Sequence, residues 1–348
     1  MMKALVKTAK GAGNIEVRHA PVPEIPYDDW VLIKVAAAGV CGTDLHIWHD
    51  TYPYWPPVIL GHEFAGEVVG VGAAVKSYKA GDRVVAEPHA KACGVCDLCR
   101  RGIVQLCTFK RSPGWGIDGG FAEYVTMPEM LLHRVPDAIG DDIAALAEPM
   151  AIAVHQVTER SRVECQDFVV VSGAGPIGIL CAFVAKACGA GTVAVTGVDA
   201  CEYARFPAAK ALGADVVINV QKRDALETVM DMTNGKGADL VIETSGAPGA
   251  IAQIVPMTKI CGRVCVIGIP NQEHTPVPWK MAVHRSLDVA FCMSSGYSAW
   301  DKALALMARA KADLSRVITH REPLDNWESL FAELEAERGI KGLFLPGL

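Results

Sequence analysis

Cys93, Cys96, Cys99 and Cys107 follow the spacing C-x2-C-x2-C-x7-C. Two-residue gaps let successive thiolates turn inward on one ion at ~2.3 Å, and a fourth closes a tetrahedron. A site filled by four thiolates has no open position for chemistry, so structural zinc is the expected occupant. Paired disulfides and an iron–sulfur cluster are the other readings of this pattern. Nothing else in the chain suggests secretion, which argues against disulfides.

At 348 residues the chain exceeds what one hydrophobic core usually serves, so two domains are expected. The net charge of −6 argues against a nucleic-acid or anionic-membrane partner. The longest apolar runs are broken well short of a bilayer span, and the N-terminal stretch lacks the apolar core of a signal peptide. Cys181, Cys188, Cys261, Cys265 and Cys292 fall within apolar segments and read as small buried hydrophobes. Free thiols in this number imply a reducing compartment, and a cytoplasmic location is expected.

The first 160 residues read as β-rich, with runs at Trp30–Ala37, Phe64–Val71 and Arg83–Val85 punctuated by Gly, Pro and Asp. From Phe168 the rhythm changes. Strand-like runs at Phe168–Ser172, Thr192–Thr196, Asp215–Val220, Asp239–Glu243, Arg263–Ile269 and Leu287–Met293 have helical patterns between most of them. This alternation predicts an α/β fold with a doubly wound parallel sheet of the Rossmann type. The expected division is 156–294 for the nucleotide-binding domain, with 1–155 and 295–348 forming the other domain and a metal lobe at about 90–110.

Gly173-x-Gly175-x-x-Gly178 follows an apolar strand and opens a helix, which is the context a dinucleotide-binding turn requires. Together with Pro176 and Ile177 these glycines let the backbone approach a pyrophosphate at the helix N-terminus. The residue that selects between NAD and NADP is less plain. Gly197 occupies the position expected of the ribose-binding acid, and Asp199 lies two residues beyond. Asp199 would favour NAD. If it only caps the next helix, Gly197 leaves room for a phosphate and Arg205 is a candidate partner.

A second metal-ligating set is dispersed. Cys41-Gly42-Thr43-Asp44-Leu45-His46 follows a strand, Gly61-His62-Glu63 follows an apolar run, and Glu148-Pro149 precedes small apolar residues. One Cys, one His and one carboxylate make an open zinc site with a position left for a substrate oxygen.

Taken together these motifs resemble the zinc-dependent medium-chain dehydrogenase/reductase superfamily, the alcohol dehydrogenase relatives. The resemblance rests on CGTDLH (41–46), GHEFAGEVVGVG (61–72), GDRV (81–84), CGVCDLC with Cys107, DGGFAEY (118–124), EP (148–149) and GAGPIG (173–178), and spans essentially the whole chain. Glu148-Pro149 and the run Ile318–Leu324 place it nearer the polyol, sugar-alcohol-phosphate and threonine dehydrogenases.

The resemblance implies a GroES-like catalytic domain and a Rossmann domain. It implies a catalytic zinc on Cys41, His62 and either Glu63 or Glu148, and a structural zinc on Cys93, Cys96, Cys99 and Cys107. Thr43 would touch the substrate oxygen and start a proton relay through the cofactor ribose to His46. The implied reaction is oxidation of a secondary alcohol, foremost a polyol, to the ketone with NAD, NADP remaining open. L-threonine and polyol phosphates are alternative substrates. A zinc-free reductase and a silent NAD(P)-sensing protein are the competing classes. Such proteins are commonly homodimers or homotetramers, and an edge strand at Leu287–Met293 is the expected pairing element. Ile47–Tyr54, Trp115–Ile117 and Cys292–Tyr297 are expected pocket walls, and His89 is expected at the surface rather than lining the site.

Overall fold

The computed structural model describes residues 1–348 as two compact units. One comprises Met1–Glu148, Gly296–Arg309 and Ile318–Leu348; the other comprises Pro149–Ser295 and Ala310–Val317. Residues 149–155 thus fall in the second unit, whereas the sequence reading put them in the first. No turn residue marks a border there, because the helix Ala147–Val154 runs directly into the π-helical turn His155–Arg160.

In the first unit a seven-stranded sheet runs Ile318–Glu322, Lys341–Phe344, Trp30–Gly39, Glu63–Val71, Arg83–Ala86 and Leu132–Arg134, with Tyr124–Pro128 also paired to Trp30–Gly39. A three-stranded sheet of Ile15–Ala20, Met2–Lys7 and Val58–Ile59 belongs to the same unit. Leu5, Ile33, Val35, Leu60, Phe64 and Phe344 meet in its core. The pairing of Trp30–Gly39 with Glu63–Val71 is antiparallel and sets Gly39 opposite Glu63. The end of one strand, which leads into Cys41, therefore lies beside the start of the strand that follows His62.

The second unit holds six parallel strands in the order Val216–Asn219, Thr192–Gly197, Phe168–Ser172, Ala238–Glu243, Thr258–Val266 and Asp288–Phe291. This is the strand order of a complete dinucleotide-binding sheet. Val169, Val170 and Val171 are all buried, as a strand covered on both faces requires. The helix Pro176–Ala187 packs on this strand and its neighbour Thr192–Gly197. No helix is long and apolar enough to cross a membrane.

The cysteine expectation needs correcting. Cys181 and Cys265 are buried, but Cys188 and Cys261 are exposed and Cys292 is half-buried. An apolar sequence neighbourhood does not fix on which face of an element a residue lies.

Candidate metal centres and nucleotide turn

The fold brings the dispersed set together. Ligand atoms of Cys41, His62 and Glu63 all lie within 4.8 Å of one another. Cys41 caps the short helix Gly42–Trp48, where its N–H donates to Asp44 Oδ2 at 2.9 Å. Gly61 adopts φ +89°, a left-handed conformation that turns the chain just before His62. A side chain at Gly61 would also strike the Phe121 ring at 2.3 Å.

The donor set fits a zinc ion. His62 is buried, yet its Nδ1 has no hydrogen-bond partner. A buried polar atom without a partner is costly, and a metal would satisfy it. Burial, and then the Glu63 charge, push the Cys41 thiol far up. A bound cation reverses that effect, because a coordinating thiol is deprotonated outright. Burial and Glu63 likewise raise Glu148, to about 7, while His62, Lys341 and Lys110 oppose the rise. Glu148 therefore shares the electrostatic field of the centre but is not among the three groups that converge within 4.8 Å.

Lys341, which the sequence reading missed, completes the centre. Its ammonium donates to both oxygens of Glu63, at 2.9 and 2.8 Å, and to Val40 O at 2.9 Å. The available signal was a lone lysine inside the apolar run Ile340–Leu345. Thr43 Oγ1 lies 3.8 Å from Cys41 Sγ. His46 is exposed, and its Nδ1 lies 3.1 Å from Thr51 Oγ1, a second partner that sequence did not reveal.

Among the expected pocket walls, Trp115 stands edge-on to His62 at 4.9 Å and to Tyr52 at 5.6 Å. Burial, and then the Cys41 charge, raise the Tyr52 phenol, so both aromatics belong to the surroundings of the centre. Trp48 instead packs edge-on against Trp327 and Phe331 in the core. Trp55 is largely exposed and carries the Arg111 guanidinium over its ring at 4.0 Å. His89 is buried rather than at the surface, 3.7 Å from Glu87. A histidine next to a strand end gives no sequence signal of its burial.

The four lobe sulfurs also lie within 4.8 Å of one another. Backbone N–H groups are aimed at them: Cys93 N at Cys107 Sγ, Cys96 N at Cys93 Sγ and Cys99 N at Cys96 Sγ, at 3.4–3.5 Å. Such donors favour the thiolate form that a metal takes. Hydrogen bonds from the Val95 and Cys96 backbone pull Cys93 down to about 6.

In the nucleotide unit, Gly173 has φ +119°, and a side chain there would meet Thr244 Oγ1 at 2.7 Å. A Cβ on Gly178 would sit 1.9 Å from Gly173 O, so only glycine lets helix and turn close up. Gly175 faces open space at the N-terminus of a twelve-residue helix that carries Pro176 in its first turn and no acidic residue there. That is a cradle for a pyrophosphate. Pro176 and Ile177 open the helix.

Asp199 does not cap a helix by its side chain; the turn Asp199–Cys201 has Val198 at its N-cap and no side-chain cap. Its carboxylate accepts from Asn219 Nδ2 at 2.7 Å and lies 3.8 Å from Lys222. Arg205 is half-buried at the start of the helix Arg205–Ala211. Gly197 offers no room for a larger residue, since a Cβ would meet Cys201 Sγ and the Phe206 ring at 2.9 Å. Close packing against Cys201 and Phe206 thus accounts for a glycine at this position.

Comparison with known proteins agrees with the fold. Residues 27–137 match the alcohol dehydrogenase GroES-like domain, and residues 176–309 match the zinc-binding dehydrogenase family. A sorbitol dehydrogenase of Halalkalibacterium halodurans is 36% identical, covering 99% of each chain. An L-threonine 3-dehydrogenase of Escherichia coli is 37% identical, covering 98% of each. A solved zinc-binding dehydrogenase of Sinorhizobium meliloti, bound to NADP, superposes with a TM-score of 0.92 at 32% identity, covering 99% of each chain. The chain belongs to the zinc-dependent medium-chain dehydrogenase/reductase superfamily, in its polyol and threonine dehydrogenase branch. It is an enzyme of the alcohol and polyol dehydrogenase class.

Proposed function

We propose that the chain oxidises a secondary alcohol of a polyol or sugar alcohol to the ketone, with zinc held by Cys41, His62 and Glu63 and with NAD preferred over NADP. The observation that carries the reading is the convergence of these three side chains, with a buried His62 nitrogen left over for a metal. When bound, zinc lowers the pKa of the alcohol hydroxyl and the nicotinamide accepts a hydride. The chain's own residues do the rest. Cys41, His62 and Glu63 fix the position of the metal, and Lys341 holds the Glu63 carboxylate in place. Thr43, beside Cys41, hydrogen-bonds the substrate oxygen and takes up its proton as it releases its own toward His46. His46, exposed and steadied by Thr51, passes the proton to water. Tyr52 and Trp115 offer ring faces and edges to the C–H groups of a polyol and exclude water.

Glu63 is favoured over Glu148 as third ligand because, of the two carboxylates, it alone lies within 4.8 Å of both Cys41 and His62. NAD is favoured because Asp199 is 60% exposed at the end of the second strand and would repel a 2′-phosphate. A homodimer is supported by the apolar edge strand Asp288–Phe291, whose Phe291 is exposed. The twelve free cysteines support a cytoplasmic setting.

The test is a substrate panel of polyols, polyol phosphates, L-threonine and simple alcohols, each with NAD and NADP, on protein of measured zinc content. Highest kcat/KM for an uncharged polyol is the expected result. Charged substrates belong in the panel because Lys110, partly buried and in Coulomb range of Glu148, could pair with an anionic group. Turnover confined to L-threonine or to a phosphate ester would overturn the polyol assignment.

A further inference from the structure

Three cysteines of the nucleotide unit lie outside both metal sets yet close to one another: Cys181, Cys265 and Cys292. Two of them touch, with Cys265 Sγ 3.7 Å from Cys292 Sγ. We propose that Cys292 and Cys265 form a hydroperoxide-reactive thiol pair, Cys292 being the attacking sulfur and Cys265 the resolving one.

The backbone places them. Cys265 lies in the strand Thr258–Val266, in register with Ala290 of the parallel neighbour Asp288–Phe291. Cys292 is two residues further on, so its side chain leaves the same face of the sheet as that of Ala290. Its N–H still bonds Val266 O, at 3.0 Å, which fixes its position against the strand that carries Cys265. Cys265 Sγ points to Gln156 O at 3.9 Å, so the pair lies on the face covered by the turn His155–Arg160.

The two sulfurs are not equivalent. Cys265 is fully buried, and the neighbouring Cys292 sulfur and burial both push its thiol up, so it keeps its proton and donates. Cys292 is half-buried, within reach of a small peroxide. The hydrogen bond from Cys265 pulls the Cys292 thiol down to about 6 against the effect of burial, and the Arg160 guanidinium adds its own bond and charge. Arg160 is placed there in part by a bond to Phe291 O at 3.4 Å. Cys181 is wholly buried and its thiol is raised by that burial, so it takes no part.

The chemistry balances with a hydroperoxide as oxidant. The Cys292 thiolate attacks the terminal peroxide oxygen. The O–O bond breaks and the leaving alkoxide or hydroxide takes a proton from water, leaving Cys292 as a sulfenic acid. Cys265 sulfur then attacks the Cys292 sulfur. The S–O bond breaks, and hydroxide leaves as water with the Cys265 proton. Per pair, two thiols and one hydroperoxide give a disulfide, an alcohol or water, and a further water. Closing the gap needs the sulfurs to approach by under about 2 Å.

The test uses the native zinc-loaded protein, treated with stoichiometric hydrogen peroxide, alkylated and mapped by peptide mass. The expected product is a Cys265–Cys292 cross-link, removed by dithiothreitol, formed with zinc content unchanged. Cys292 should be alkylated by iodoacetamide at neutral pH about tenfold faster than the exposed Cys165, Cys188 and Cys261. In Cys265→Ser, the oxidation should stop at a Cys292 sulfenic acid that dimedone labels. Arg160→Gln should slow the alkylation severalfold. The proposal is overturned if native Cys292 reacts no faster than those three exposed cysteines, a measurement that needs no variant. It is equally overturned if Cys292 oxidises without any cross-link to Cys265.

Discussion

Lys341 spends its whole hydrogen-bonding capacity on the candidate catalytic centre: two bonds to Glu63, at 2.9 and 2.8 Å, and one to Val40 O. Neither charged side chain reaches solvent. Gly39 makes the arrangement sterically feasible, since a Cβ there would stand 2.3 Å from Glu63 Oε2. Removing one member of a buried ion pair leaves the other charge unpaired, at a cost of about 3–5 kcal/mol. Lys341→Met is therefore expected to lower the urea-unfolding free energy by about that amount. Gly39→Ala should disturb the centre from the other side and lower turnover. A Lys341→Met loss below about 1 kcal/mol would show that Glu63 finds another partner.

The two metal sets should respond differently to loss of a thiolate. Cys41→Ser is expected to bind one zinc fewer and to lose turnover while staying folded, because its neighbours Val40 and Ile47 belong to an extensive apolar core. Cys96→Ser should instead cost solubility or assembly. Residues 91–106 contain only one buried side chain, that of Gln105, so the lobe depends on its metal for order. Elemental analysis with circular dichroism distinguishes the two outcomes. Native protein with no metal at Cys93, Cys96, Cys99 and Cys107 would refute the lobe assignment.

An ion network around a buried histidine predicts a pH dependence of stability. His133 Nδ1 lies 2.8 Å from Asp301 Oδ1, and Nε2 lies 3.1 Å from Glu87 Oε1, with the ring stacked on Trp300. Burial opposes its charge, but the hydrogen bonds and charges of Glu87 and Asp301 outweigh that and raise its pKa. A raised histidine stabilises the fold fully below its unfolded value of about 6.5. That contribution is lost as pH rises through the higher folded value. The gap in unfolding free energy between wild type and His133→Gln should thus be widest on the acidic side and narrow above neutrality. A gap independent of pH would mean that His133 is neutral in the fold.

Cofactor choice turns on Asp199. Its carboxylate is already oriented by Asn219 and stands near Lys222. If it bonds the adenosine ribose, Asp199→Ala should weaken NAD binding by about ten- to a hundredfold, equivalent to ~1.5–3 kcal/mol, and relieve repulsion of NADP. Fluorescence titration with NADH and NADPH reads both effects. Unchanged affinities would leave Asp199 with only its contacts to Asn219 and Lys222 to explain it. The converse replacement, Gly197→Asp, is not a usable probe, because Cys201 and Phe206 already fill the space.

Much of this was legible in the chain because it depends on neighbours in sequence. The cysteine spacing announced a metal lobe, and the glycine turn after an apolar strand announced a nucleotide cradle. The succession of strands and helices implied a parallel sheet, since each strand buried on both faces must be Val- and Ile-rich throughout. What sequence left open depends on contacts between distant segments. The antiparallel pairing of Trp30–Gly39 with Glu63–Val71 brings Cys41 to His62 and Glu63, and the strand Lys341–Phe344 then carries Lys341 to Glu63 across 278 positions. Burial of His89, the pairing of His46 with Thr51 and the contact of Cys265 with Cys292 are likewise decided by side-chain direction and strand register. Local spacing determines which residues can share an ion or a turn; only packing determines which charges must be answered by a partner from elsewhere in the chain.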